Sequence, residues 1–168
     1  MSTAPVILRR YPGLRPFERG QKALFHGRRQ DIFRLSNLIM HSRLSVLFSK
    51  SGIGKTSLLE AGVAPEVEAR RFTPIYIRVN NSDASIVESV AATLTQSISC
   101  AGRDNDHLVP DMPPTLWELL KRLEFDLNGL PAVPVLVLDQ FEEIFTLGHT
   151  HESRTAFLSQ LADLANEV

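Results

Sequence analysis

The octapeptide Ser49-Lys50-Ser51-Gly52-Ile53-Gly54-Lys55-Thr56 restricts the fold of this 168-residue chain more than any other stretch. It follows a nearly all-apolar run, Leu44-Ser45-Val46-Leu47-Phe48, and opens a helical pattern from about Lys55 to Val63 that Pro65 is expected to close. A buried strand, a glycine turn and a helix in that order are the setting of a phosphate-binding loop. Glycines let the backbone curl tightly enough for successive N–H groups to face an anion, and the following helix presents its positive end to the same place. In this reading Ser51 to Ser57 line the loop, Lys55 reaches the β- and γ-phosphates, and the Thr56 hydroxyl ligates Mg²⁺. Ser49 stands where the pattern G-x-x-x-x-G-K-[ST] has its first glycine, and serine disfavours φ > 0, so the loop entry is expected to be shaped differently.

The rest of the chain alternates strand and helix patterns. Ile32, Leu35 and Ile39 repeat at helical spacing, and Pro74 to Val79 reads as a strand that begins on proline. Ser85 and Glu88 form a capping box ahead of Ile86, Val90, Leu94 and Ile98. Thr115 and Glu118 form another, ahead of a face of Leu116, Leu119, Leu120, Leu123 and Leu127. Pro134 to Leu138 is a third buried strand, and Phe157, Leu161, Leu164 and Val168 mark a last helix. Strands separated by amphipathic helices predict an α/β fold with parallel strands.

The third strand carries chemistry as well. Val135 to Leu138 deliver Asp139 to a strand's carboxyl end, where α/β proteins bind ligands. An aspartate there can hold the water shell of Mg²⁺ opposite the Thr56 oxygen. A carboxylate just beyond, Glu142 or Glu143, has the chemistry of a general base toward the water that attacks a γ-phosphate. The same two acids also suit a helix's first turn for dipole reasons alone, so both readings stay open.

Composition narrows the classes further. No apolar run approaches the roughly 20 residues of a membrane span, and Met1 to Arg10 lacks the apolar core of a secretory signal. One cysteine, Cys100, excludes an internal disulfide and suits a reducing cytoplasm. Residues 1–50 carry ten Lys/Arg against two Asp/Glu, whereas residues 51–168 carry eight against seventeen. The scattered arginines suit pairing with the acidic remainder of the chain better than nucleic-acid binding.

Four motifs in order, Tyr11-Pro12-Gly13-Leu14-Arg15-Pro16-Phe17, Leu24-Phe25-His26-Gly27-Arg28, the glycine loop, and Leu138-Asp139-Gln140-Phe141-Glu142-Glu143-Ile144-Phe145, resemble the novel STAND NTPase family over roughly residues 11–148. The resemblance implies a multidomain signal-transduction ATPase with ATP and Mg²⁺ as cofactors. It matches Lys55 and Thr56 to the phosphate and Mg²⁺ ligands and Asp139 to the Mg²⁺ aspartate. Glu142 and Glu143 match acids three and four places later, and Phe25, Gly27 and Arg28 match the segment near the adenine base. Where the family usually has Glu after that arginine, Arg29 stands here, and Asp31 keeps the acid two places on.

The expectation is therefore a three-layer P-loop NTPase fold that is incomplete, with three parallel strands present and later strands missing. Residues 1–25 are expected to be an extended strap and residues 26–168 the N-terminal part of the NTPase domain. As a cytoplasmic nucleotide-controlled switch, such a module would bind ATP, hydrolyse it weakly on its own, self-associate or act through C-terminal sensor and effector domains, and engage no membrane. The alternative is a truncated, non-hydrolysing interaction module that associates with a partner or a full-length relative.

Overall fold

A computed structural model describes residues 15–50, 52–78, 85–99 and 115–166. Val79, Ser82 to Ala84, Cys100 to Pro114 and Val168 lie outside that set, together with Ser51 and the Tyr11 to Leu14 part of the first motif. The chain divides into two compact units, Met1–Arg70 and Arg71–Val168.

The first unit is helical. The strap closes on a 3-10 helix, Arg19–Leu24, so it contains more regular structure than its prolines and glycines suggested. Helix α1 spans Arg29–His41 as the period predicted. The stretch after the glycine loop is continuous but irregular: α2 (Lys55–Ser57), a π-helical turn (Leu58–Val63) and α3 (Ala64–Glu68). Pro65 therefore does not end the helix. It sits in the first turn of α3, and the wider i→i+5 turn before it relieves the clash that its ring makes with the preceding turn of a regular helix.

Leu58, Ala61, Val63, Ala64 and Val67 of this stretch are buried. Gly62 faces both α1, through Ile32, and the strap, through Phe25. A Cβ at that position would lie 2.7 Å from Ile32 Cγ1 and 3.3 Å from Phe25 Cε1. Gly62→Val should therefore lower stability by about 1–3 kcal/mol through overpacking, read as a shift in urea midpoint at constant slope.

Charge holds the strap to the same helix. Arg19 pairs with Glu60 and Glu68, and Lys22 pairs with Glu66 at 2.9 Å. The Lys22 hydrogen bond holds the Glu66 carboxyl below its usual range; burial opposes this, and the Lys22 and Arg70 charges add to it. These contacts support the self-pairing reading for two of the N-terminal cations. Exposed pairs of this kind contribute about 0–1 kcal/mol each.

One expected strand does not form. Leu44 to Phe48 has neither helix nor ladder, and Val46 and Phe48 are 80% and 93% exposed. A strand needs a neighbour to take its backbone hydrogen bonds, and the described residues of the first unit contain no strand at all.

The second unit is mixed α/β. Strands β1 (Phe72–Arg78) and β4 (Val133–Asp139) pair in parallel, with Phe72 opposite Val133 and Arg78 opposite Asp139. The parallel sheet thus has two strands among the described residues, not three. Between them lie α4 (Ile86–Ser99), α5 (Leu116–Arg122), and a short antiparallel ladder of β2 (Asp126–Leu127) with β3 (Leu130–Pro131).

Both capping boxes are made. Glu88 N–H donates to Ser85 Oγ at 3.2 Å, and Glu118 N–H donates to Thr115 Oγ1 at 3.3 Å. Helix α5 ends at Arg122, and Leu127 lies instead in the hairpin that Asn128 and Gly129, with φ of +56° and +76°, turn. After β4 come α6 (Glu143–Thr146) and α7 (His151–Asn166).

Helix α7 organises this unit. Ser153, Phe157 and Gln160 recur at helical spacing along it. Ser153 Oγ accepts the Ile86 N–H at 3.2 Å, and Gln160 Oε1 accepts the Leu116 N–H at 2.8 Å. One helix thereby satisfies N-terminal donors of α4 and α5 that have no partner within their own helices. Phe157, between them, is fully buried in a core with Ile77, Ile86, Leu94, Leu116 and Ile144. No helix among the described residues is long and apolar enough to cross a membrane.

Candidate functional site

In the first unit, Gly52 and Gly54 have φ of +81° and +84°, the left-handed region that the curled loop requires. Gly54 caps the helical stretch, and its carbonyl accepts the first helical hydrogen bond from Leu58 N–H at 2.9 Å. Lys55 Nζ folds back over the loop entry and donates to Ser49 O at 3.0 Å and to Lys50 O at 3.4 Å. Thr56 is half-buried at the start of the helix, and Ile53 is half-exposed at the loop's crown.

Ser57 turns the other way. Its side chain is buried, and its hydroxyl accepts the Phe17 N–H at 3.0 Å, so a contact from Ser57 to a ligand falls to its backbone. Sequence reasoning missed this tie between strap and loop. Its only signal was the motif around Phe17, which carries no donor or acceptor pattern.

The residues expected near the base divide by what they touch. Phe25 packs on Phe17, ring centroids 5.6 Å apart, and faces Gly62. Gly27, with φ of +86°, reverses the chain ahead of α1. Arg28 pairs with Asp31 through Nε and donates from Nη1 to the Ile53 carbonyl at 3.2 Å. The structure thus joins Arg28 to the glycine loop directly.

In the second unit, Asp139 ends β4 and its Oδ1 accepts the Gln140 N–H at 3.0 Å. Gln140 has φ of +55°, an uncommon value for a residue with a side chain. It turns the chain sharply at the strand tip and sends Phe141 back into the core, against Phe157 at 6.4 Å. Glu142 and Glu143 follow and are not equivalent. Glu142 is exposed, whereas Glu143 is half-buried and ion-paired to Arg78 Nη2 at 3.3 Å. Arg78 was not singled out in the sequence; its strand placed it at a carboxyl end, and only the parallel register showed it beside Asp139.

These donor sets suit a phosphate and a hard cation. Two left-handed glycines and a helix start face an anion well, and a hydroxyl and a carboxylate are oxygen ligands of the kind Mg²⁺ takes. Among the described residues no group of three or more His, Cys, Asp or Glu side chains gathers as a metal cage.

The sequence from residue 11 to residue 168 matches the family described as Novel STAND NTPase 1. The chain belongs to that family. No curated protein and no solved structure matches it. Membership makes this Novel STAND NTPase 1 chain a STAND NTPase-related module.

Proposed function

We propose that this chain binds ATP with Mg²⁺ and works as a nucleotide-controlled switch of the STAND type. The observation that carries the reading is the loop itself: left-handed Gly52 and Gly54, with Lys55 folded over the entry, ahead of a helix start. In the reading, backbone N–H groups from Gly52 to Ser57 hold phosphate oxygens, and Lys55 exchanges its two carbonyl partners for phosphate. Thr56 is the proposed Mg²⁺ ligand of the first unit, and Asp139, in the second, carries a carboxylate of the same ligand class. The ion, when bound, neutralises charge on the phosphates.

Of the two candidate bases, Glu142 is the better placed to take a proton from water, because Glu143 is engaged by Arg78. The resemblance puts Phe25, Gly27 and Arg28 near the base; Phe25 and Gly27 keep that role in this reading, while Arg28 is turned to the glycine loop. Nucleotide state would then govern self-association or docking with sensor and effector domains. Exposed Val46 and Phe48 support association.

A titration of the whole chain with a fluorescent ATP analogue, with and without Mg²⁺, tests this. Light scattering is followed in the same cell. Binding should saturate and tighten on adding Mg²⁺, and scattering mass should depend on nucleotide. Absence of binding in both arms would overturn the reading.

A further inference from the structure

The Ile53–Gly54 peptide plane turns about ψ of Ile53 and φ of Gly54, and Gly54 has φ of +84°. Glycine populates φ > 0 and φ < 0 about equally, so the Gly54 side offers little resistance to rotation of this plane. In a planar trans peptide the carbonyl of one residue and the N–H of the next point in opposite directions. Whatever holds the Ile53 oxygen therefore aims the Gly54 N–H.

Arg28 holds that oxygen. Its Nη1 donates to Ile53 O at 3.2 Å, while Nε pairs with Asp31 three residues along the chain. The guanidinium is a rigid planar fork, so the Asp31 contact fixes where Nη1 points. Arg28 is itself anchored. It caps α1, its own carbonyl accepts the Ile32 N–H at 2.9 Å, and Gly27 ahead of it has φ of +86°. The chain from Asp31 through Arg28 to Ile53 runs between well-defined backbone positions, and it directs the Gly54 N–H away from the guanidinium.

We infer that Arg28 is a positioning residue for the glycine loop. It fixes the Ile53–Gly54 peptide plane so that the Gly54 N–H is presented to the phosphates of a nucleotide, and Asp31 orients it. The inference rests on the nucleotide-binding reading above and deepens it. It differs from a base-contact role for Arg28 in one measurable respect: loss of the guanidinium should be felt in proportion to the phosphates, not to the base.

The test measures binding of fluorescently labelled ATP, ADP and AMP to the whole chain and to Arg28→Ala, Arg28→Lys and Asp31→Asn variants. Arg28→Ala should weaken ATP and ADP about ten-fold, the size of one hydrogen bond to a charged group, and leave AMP within about two-fold of wild type. Arg28→Lys should fall between, since an ammonium can reach the carbonyl without the fork that engages Asp31 as well. Asp31→Asn should behave like Arg28→Lys. If Arg28→Ala fails to fold, these two variants carry the comparison.

Equal losses for all three nucleotides would assign Arg28 to the base side and overturn the inference, as would wild-type affinities in every variant. Failure of the wild-type chain to bind any of the three would overturn the nucleotide reading itself.

Discussion

Lys55→Ala should reduce affinity for a fluorescent ATP analogue by on the order of 100-fold, about 3 kcal/mol, which one or two hydrogen bonds to charged groups supply. The ammonium stands at the start of the helical stretch and folds back over the loop entry. It donates to Ser49 O and Lys50 O, 3.0 and 3.4 Å away. Removing it leaves one half-buried and one exposed carbonyl at the loop entry, so stability should change by no more than about 1 kcal/mol. The two measurements separate function from folding: isothermal binding should show the loss, while the urea midpoint stays near wild type. Unchanged ATP affinity in Lys55→Ala would remove the basis of the proposed function, because Lys55 is the cation that the reading assigns to the phosphates.

Much of this architecture was readable from local signals. Both capping boxes, α1 and β4 appear where spacing put them, and β1 does so except that it starts at Phe72, two residues before the Pro74 expected to open it; each depends on contacts within a few residues or on an apolar run with a partner available. What failed was non-local or masked by a stronger pattern. Leu44 to Phe48 has a strand's composition, yet pairing is a property of two segments, and the described first unit offers no second one.

Asn128-Gly129 is a strong hairpin signal that the leucine spacing through Leu127 concealed. Pro65 read as a terminator because sequence gives no sign of the π turn that accommodates it. The candidate residues were named from motif spacing. Their second contacts, Ser57 with Phe17, Arg28 with Ile53 and Glu143 with Arg78, join residues far apart in sequence and needed coordinates to be seen.

Phe157→Ala should destabilise the second unit by about 3–5 kcal/mol, the range for removing a fully buried aromatic ring. Phe157 has 0% relative exposure, and its loss would open a cavity among Ile77, Ile86, Leu116 and Ile144. The damage should not stay in the core. Phe141 leans on Phe157 at 6.4 Å and is the residue that anchors the turn after Asp139 and Gln140. Gln140 keeps φ of +55° only while that anchor holds, since a side-chain-bearing residue gives up about 1–2 kcal/mol to stay left-handed.

Once Phe157 is gone, relaxation at Gln140 becomes favourable, and Glu142 and Glu143 would lose their fixed places beyond the strand. A conservative Phe157→Leu change should recover most of the stability, because leucine fills much of the volume. Denaturant unfolding of both variants checks the first effect. Amide exchange at Gln140 to Phe145 checks the second: exchange should quicken there in Phe157→Ala by more than it does along α4. Uniform quickening across the unit would mean that Phe157 stabilises the core without specifically steadying the turn that carries the two glutamates.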